Sequence, residues 1–176
     1  LRILRDGMPL TLADGQTPTD YLDLEAVSRV ETIRGSASAL YGNASGGVID
    51  LRSPLAPSAP VAGQLRSWFG SNGFRRDVLL LGGTNSRASY QANFGRTQSD
   101  GVRSYSKQDL ANGFLRANTA FRATEFTLLA LGMNQPTAQN PGALTRFQFD
   151  TSALKSDTNQ FLKKSRKEVS QLQLGL

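Results

Sequence analysis

The sequence predicts a mixed fold in two parts, a small α/β segment over residues 1–53 and antiparallel β-strands over residues 61–176. Three observations carry that reading. Charge divides the chain: residues 1–53 hold 5 basic and 7 acidic side chains, whereas 54–176 hold 15 and 7, a swing from −2 to +8. At the divide stands Pro54-Leu-Ala-Pro57-Ser-Ala-Pro60, a run that fixes an extended backbone and removes ladder donors, as a linker does. Beyond it apolar residues recur with period two, the spacing of a sheet with unlike faces.

In the first part, Arg2 to Arg5 reads as a short strand and Asp6-Gly7-Met8-Pro9 as turn chemistry. Thr11 to Thr19 has no hydrophobic period, and Asp14-Gly15 and Pro18 mark it as a loop. Asp20 stands where it would cap a short helical turn through Tyr21, Leu22 and Leu24. Val30 to Ile33 reads as a strand. A short turn ending at Tyr41-Gly42, a Gly-rich loop and the strand Val48 to Leu51 follow.

The second part gives six alternating segments, near 61–70, 74–83, 87–97, 109–122, 124–134 and 167–176. Tyr90, Ala92 and Phe94 share one face against Ser89, Gln91 and Asn93; Leu172, Leu174 and Leu176 oppose Gln171, Gln173 and Gly175. The connections at 71–73, 84–86 and 122–124 are tight, 99–108 is longer, and 135–166 is the longest. Alternation alone suits a soluble sandwich and a membrane barrel equally. Two features favour the barrel: segments of about ten residues match a tilted bilayer-crossing strand, and Trp68, Phe69, Phe74, Phe121 and Phe126 gather at segment ends, as interfacial girdles do. Val78-Leu79-Leu80-Leu81 is apolar on both faces, which suits a barrel only if something fills its lumen.

Composition narrows the chemistry. The chain has no Cys and no His, which removes disulfides, thiolate zinc sites, cysteine nucleophiles and the Ser-His-Asp arrangement. Most hydrolase chemistry is thereby removed, and no metal site or cofactor is expected. The isoelectric point is near 10.1, yet the basic residues are dispersed apart from Lys163, Lys164, Arg166 and Lys167. That run reads as a solvated loop or strand end, with anionic lipid headgroups as the second reading and no nucleic-acid partner expected. Gly46-Gly47-Val48 lacks the following Lys-Ser/Thr of a phosphate loop, so Gly35, Gly42, Gly46 and Gly47 are expected to serve backbone geometry. No apolar run approaches the ~18 residues of a membrane helix. Leu1 opens inside an apolar-basic pattern and Leu176 closes an alternating run, so the chain is expected to be a fragment.

Four blocks carry a resemblance: Asp6-Gly7-Met8-Pro9-Leu10, Val30-Glu31-Thr32-Ile33-Arg34-Gly35, Ala39-Leu40-Tyr41-Gly42-Asn43 and Gly46-Gly47-Val48-Ile49-Asp50-Leu51. In order and spacing they resemble the second half of the plug domain of TonB-dependent outer-membrane receptors. The pattern departs at Ser36, where the family usually has Pro, and at Asp50, usually Asn. The strands after Pro60 are similar to the family's first barrel strands, and Asn140 to Thr145 to one of its early outer loops. The resemblance implies a plug segment over 1–53, a linker over 54–60, and over 61–176 about six transmembrane strands of a ~22-stranded antiparallel β-barrel with a plugged lumen. It places 71–73, 98–108 and 135–166 outside and 84–86 and 122–124 in the periplasm. It also implies a bacterial outer-membrane location, the TonB complex as a partner through a segment not in this chain, a metal-chelate ligand, and contact with outer-membrane lipid and lipopolysaccharide.

By the same resemblance, Asp14, Gln16, Thr17, Thr19 and Tyr21 sit in a loop that reaches substrate, with an ordinary solvated loop as the other reading. Arg103, Tyr105 and Arg146 are candidates to attract an anionic ligand from the outer loops. Arg34 matches plug arginines that meet barrel carboxylates; with Glu31 it is the candidate plug–barrel lock, a local surface pair being the alternative. Gly7 joins the structural glycines. The function implied is energy-coupled uptake of a scarce metal chelate, a ferric siderophore first. The alternatives are a passive porin- or adhesin-like β-protein, and a soluble carbohydrate-binding sandwich with Trp68 and Tyr105 as platforms.

Overall fold

The computed structural model describes residues 1–10, 17, 19, 22–35, 38–42, 44–157 and 166–175. They form two sheets. The small one has strand order β2-β1-β4-β3, built from β1 (Arg2–Arg5), β2 (Met8–Pro9), β3 (Arg29–Ile33) and β4 (Val48–Arg52). β1 runs parallel to β4, β3 antiparallel to it, and β2 folds back on β1. That hairpin is possible because Asp6 and Gly7 both take positive φ. Between the strands lie a 3-10 turn, Leu24–Ala26, and the short helix α1 (Ser38–Tyr41). The 3-10 turn is capped by Asp23, whose carboxylate accepts the Glu25 N–H; the cap expected at Asp20 falls outside the described residues. Gly47 shows why a glycine stands before β4: its φ is +108, and a Cβ there would overlap the Ile33 carbonyl oxygen.

The large sheet is an antiparallel meander in chain order: β5 (Ala62–Phe69), β6 (Arg75–Thr84), β7 (Ala88–Ser99), β8 (Gln108–Phe121), β9 (Thr124–Gln139) and β10 (Arg166–Gly175). The six expected segments are present; β8, at 14 residues, is as long as its expected segment, and β9 runs to 16 residues, past the expected end at 134. β9 continues through Pro136, and there both neighbouring ladders slip by a residue, between Lys167 and Val169 and between Asp109 and Ala111. Proline has no N–H to give the ladder, so the strand accommodates it with irregular pairing. The helix α2 (Arg146–Ser152) interrupts the longest connection.

The meander defines two rims. The loop rim carries 70–74, 100–107 and 140–157. The linker rim carries 85–87, 122–123 and the Pro-rich stretch that enters β5.

Registers show which residues share a face. One row across the large sheet is Gln64, Leu80, Asn93, Phe114, Leu131 and Gln173; the next is Leu65, Leu79, Phe94, Gly113, Gly132 and Leu172. The small sheet packs on the first of these faces. Leu10 and Leu51 share a core with Phe114, Leu129, Leu131 and Met133, while Leu4, Val48 and Ala44 form a second core within the first part. The opposite face is left bare, with Leu65, Phe94 and Leu172 respectively 69%, 54% and 70% exposed. Val78-Leu79-Leu80-Leu81 is thereby explained: Val78 and Leu80 face the small sheet, Leu79 and Leu81 the outside. Phe69 and Phe126 fall on the bare face at opposite rims, whereas Trp68 pairs with Arg76 and falls on the covered one.

Candidate functional site

Polar residues concentrate where the two sheets meet. The 3-10 turn brings Asp23 and Glu25 against the loop-rim half of β5 and β6. Asp23, nearly fully buried, accepts from Arg76 Nη2 at 2.8 Å and from Asn93 Nδ2 at 3.2 Å. Glu25 takes Arg76 Nε at 3.3 Å and Arg66 Nη1 at 3.4 Å. Two carboxylates thus meet two guanidiniums in a partly dry seam, where charge-assisted hydrogen bonds are stronger than on an open surface. Asn93 is 2% exposed, and its Oδ1 has no partner among the described residues.

A second polar knot lies toward the linker rim. The Asp6 carboxylate accepts the Ser53 N–H at 2.9 Å and the Ser53 hydroxyl at 2.6 Å, and Arg116 Nη1 reaches it at 3.4 Å. Arg5 beside it is 2% exposed, with Nη2 donating to the Ala26 carbonyl at 2.7 Å and its guanidinium 4.2 Å above the Phe114 ring. Burial lowers the Arg5 pKa, and the charges of Asp6 and Asp23 pull it back up.

The linker is seated on the large sheet. Ala59 O accepts the Thr84 N–H at 2.9 Å, Tyr90 Oη donates to Pro60 O at 3.3 Å, and Gln91 Nε2 donates to Pro54 O. Pro57 lies over Gly82 so closely that a Cβ there would come within 2.8 Å of its ring. Between the linker, the small sheet and β5–β7 is a cavity of about 690 Å³, walled by Arg66, Gln64, Gln91, Asn93 and Leu80.

At the loop rim, Arg103 joins two connections. Its guanidinium donates to the carbonyls of Gly142 (2.7 Å), Pro141 (3.1 Å) and Lys155 (3.1 Å). That occupies the group expected to attract an anion, so Arg103 stands as a clamp between loops. Tyr105, half-buried at φ +59, sits in the same connection. Arg146 is exposed on α2 and pairs with Asp150 at 2.9 Å. Of the expected ligand loop, Asp14, Gln16 and Tyr21 lie outside the described residues; Thr17 is half-buried, and Thr19 is exposed with its carbonyl accepting the Leu22 N–H at 3.1 Å.

The two candidate lock residues lie on and just past β3. Glu31 pairs with Arg29 at 3.1 Å, Arg34 is exposed just past β3, and among the described residues neither forms an ion pair with the large sheet or with the other. The reason is position: β3 is the edge strand of the small sheet, and its residues are mostly exposed. The pairs that bridge the sheets come from Asp6, Asp23 and Glu25, which sequence reasoning did not single out. Of the structural glycines, Gly7, Gly35, Gly42 and Gly47 have positive φ, and Gly46 lies against the backbone of Leu1.

Residues 1–48 match the family of the TonB-dependent receptor plug domain. Over 122 residues the chain is 32% identical to a hemin receptor of Yersinia enterocolitica, covering 68% of this chain and 17% of that protein. Among solved structures, the copper transporter OprC is similar with a TM-score of 0.63 at 21% identity, over 80% of this chain and 23% of that one. The pyoverdine outer membrane receptor FpvA from Pseudomonas aeruginosa PAO1, bound to pyoverdine, gives 0.60 at 17% identity, over 76% and 20%. At such identities the structural likeness carries the fold. This chain spans only about a sixth of the hemin receptor's length, 17%.

Proposed function

For a plug-and-wall segment of the TonB-dependent outer-membrane receptor family, whose members are bacterial outer-membrane transport receptors and not enzymes, we propose a part in energy-coupled uptake of a scarce metal chelate. In this reading residues 1–53 are plug, 54–60 linker and 61–176 wall, with the loop rim outside the cell and the linker rim in the periplasm. The observation behind it is that the large sheet is apolar on its uncovered face as well as on the covered one: Leu65, Phe94 and Leu172 are exposed opposite a face that already holds the core of Phe114, Leu129, Leu131 and Met133, which lipid accommodates and water does not. The same packing argues against a passive porin, because the small sheet occupies the space that a water-filled lumen needs.

The cargo we favour is chelated iron, as a ferric siderophore or as haem. The relative at 32% identity is named a hemin receptor, which supports haem; the resemblance supports a siderophore. Thr17, Thr19 and Tyr105 are the candidate contacts within this chain, joined by Asp14, Gln16, Tyr21 and Arg146; Arg103 acts by holding the loops. The TonB complex is the proposed partner. The test is growth of an iron-starved strain carrying the full-length receptor on hemin, or on a panel of ferric siderophores, with and without TonB. Growth on one source that needs both receptor and TonB is expected. Receptor-dependent growth that persists without TonB would establish a passive pore instead.

A further inference from the structure

We propose that Arg87 and Arg122 hold the headgroup of an anionic phospholipid at the linker rim, with its acyl chains lying on Phe121, Phe126 and Leu128 of the bare face. This rests on the receptor reading, in which that face meets lipid, and adds a site to it. The two arginines come from neighbouring turns. Ala88 pairs with Thr119, so Arg87 falls opposite Ala120 and two residues from Arg122. At the usual strand spacing and rise their backbones lie about 8 Å apart. Both guanidiniums can therefore reach one phosphate.

Local bonds fix both turns and leave the arginine heads to other partners. Asn85 Oδ1 accepts the N–H groups of Arg87 and Ala88, each at 2.9 Å, and the Thr119 hydroxyl donates to the Arg87 carbonyl at 3.0 Å. Arg122 takes φ +56, and its guanidinium lies 5.4 Å from the centroid of the Phe121 ring. Phe121 shares the bare face with Phe126 and Leu128 on the next strand, and all three are exposed. The cation is thus held at the end of an apolar surface by a ring that belongs to it. Arg87 and Arg122 are themselves exposed, and among the described residues neither forms an ion pair. The nearby Glu125 pairs with Ala120 and is out of phase with Phe126, which puts it on the covered side.

The other end of the same face is built differently. There Arg75 also lies over an exposed ring, 5.6 Å from the centroid of Phe69, but its Nε bonds Asp77 at 2.6 Å. Asp77 in turn accepts the Ser67 hydroxyl at 2.7 Å. Arg96, opposite Asp77 in register, is held by both oxygens of Asp109, at 3.2 and 3.0 Å. The face neutralises these cations at the loop rim and leaves two open at the linker rim. What completes the linker rim is an anion from outside the chain, and the apolar surface beneath requires that anion to carry hydrocarbon. A phospholipid phosphate meets both needs. Its oxygens suit planar guanidiniums, its chains suit an aromatic girdle, and clustered basic residues draw anionic lipid to a membrane surface. Free phosphate would satisfy the cations alone.

The test assembles the full-length receptor in nanodiscs of phosphatidylcholine and phosphatidylglycerol and counts retained lipid by native mass spectrometry. Unmodified receptor is expected to hold phosphatidylglycerol over phosphatidylcholine by about tenfold, the effect of two arginines at a lipid surface. Arg87→Gln/Arg122→Gln is expected to lose most of that preference, and Arg75→Gln to keep it. Equal retention of the two lipids by the unmodified receptor would overturn the site, as would a preference undiminished in the double variant. A loss as large in Arg75→Gln would overturn its place at the linker rim. Excess inorganic phosphate is expected to leave the lipid bound; displacement would make this a site for free phosphate and overturn the lipid assignment. Heat-shifted gel mobility verifies folding, and each single Arg→Gln change, expected to weaken the preference severalfold, replaces the double change if it fails to assemble. Neither cargo nor TonB takes part, so absence of receptor-dependent growth would strike the transport reading and leave this result standing. A full-length protein that does not enter a bilayer would strike both.

Discussion

Arg5 and Asp50 are both ionisable and both buried in the small sheet, yet their surroundings treat them differently. Arg5 has a carbonyl, a hydroxyl and an aromatic face placed around a planar cation. An ammonium cannot use that set in the same way. Arg5→Lys is expected to destabilise the plug by about 1–3 kcal/mol, read as faster amide exchange throughout β1 and β4 in the intact receptor. Asp50 is less well served. Burial raises its pKa, while Arg52, at 2.8 Å, and the Gly7 N–H work against the rise. A raised carboxyl pKa means the folded state holds its proton after the unfolded chain has released it near pH 4. Its contribution is therefore greatest below that pH and is lost as pH rises through the folded-state value. Asp50→Asn, the residue the resemblance puts here, is expected to abolish that decline. It should slow amide exchange in β4 at pH 7.5 relative to the parent, by up to about 1 kcal/mol, with little difference at pH 4.

At the scale of elements, the loop rim holds itself together through one side chain and one cap. Arg103 fastens 100–107 to two stretches of the next connection, at Pro141–Gly142 and at Lys155, helped by the Ser104 N–H donating to the Leu154 carbonyl at 2.7 Å. Arg103→Ala is expected to raise exchange at the Ser104 amide about tenfold while leaving β7 and β8 unchanged. Protection at Ser104 that survives the substitution would mean the loops are held by other contacts. α2 begins with a full capping box between Thr145 and Gln148. Thr145→Ala should cost that turn about 1 kcal/mol. This helix is legible: a Thr three residues before a Gln ahead of Phe149 is a local capping signal within a segment whose length alone suggests a connection. The strands were legible for the same reason, since period two is written in neighbouring residues. The bridging ion pairs were not. Asp23 and Arg76 are 53 positions apart, Asp6 and Arg116 are 110, and nothing local in either sequence says that they meet.

At the scale of the whole molecule, the consequence to test is that one sheet has two solvents. Leu79 and Gln64 sit on adjacent strands, one residue apart in register and on opposite faces. Leu79 belongs to the bare row with Leu65 and Phe94, and Gln64 to the row that faces the plug and cavity. If the bare row meets lipid, a charge at 79 must be buried in hydrocarbon during assembly, at about 2–4 kcal/mol near the bilayer midplane. A charge at 64 meets a wet, polar wall and should cost less than about 0.5 kcal/mol. Leu79→Arg is therefore expected to reduce the heat-modifiable, folded receptor in outer membranes severalfold, and Gln64→Arg to leave it unchanged. Equal yields would remove lipid from the bare face. A loss confined to Gln64→Arg would mean that the apolar row is the one at ease in water, and the assignment of inside and outside would have to be exchanged.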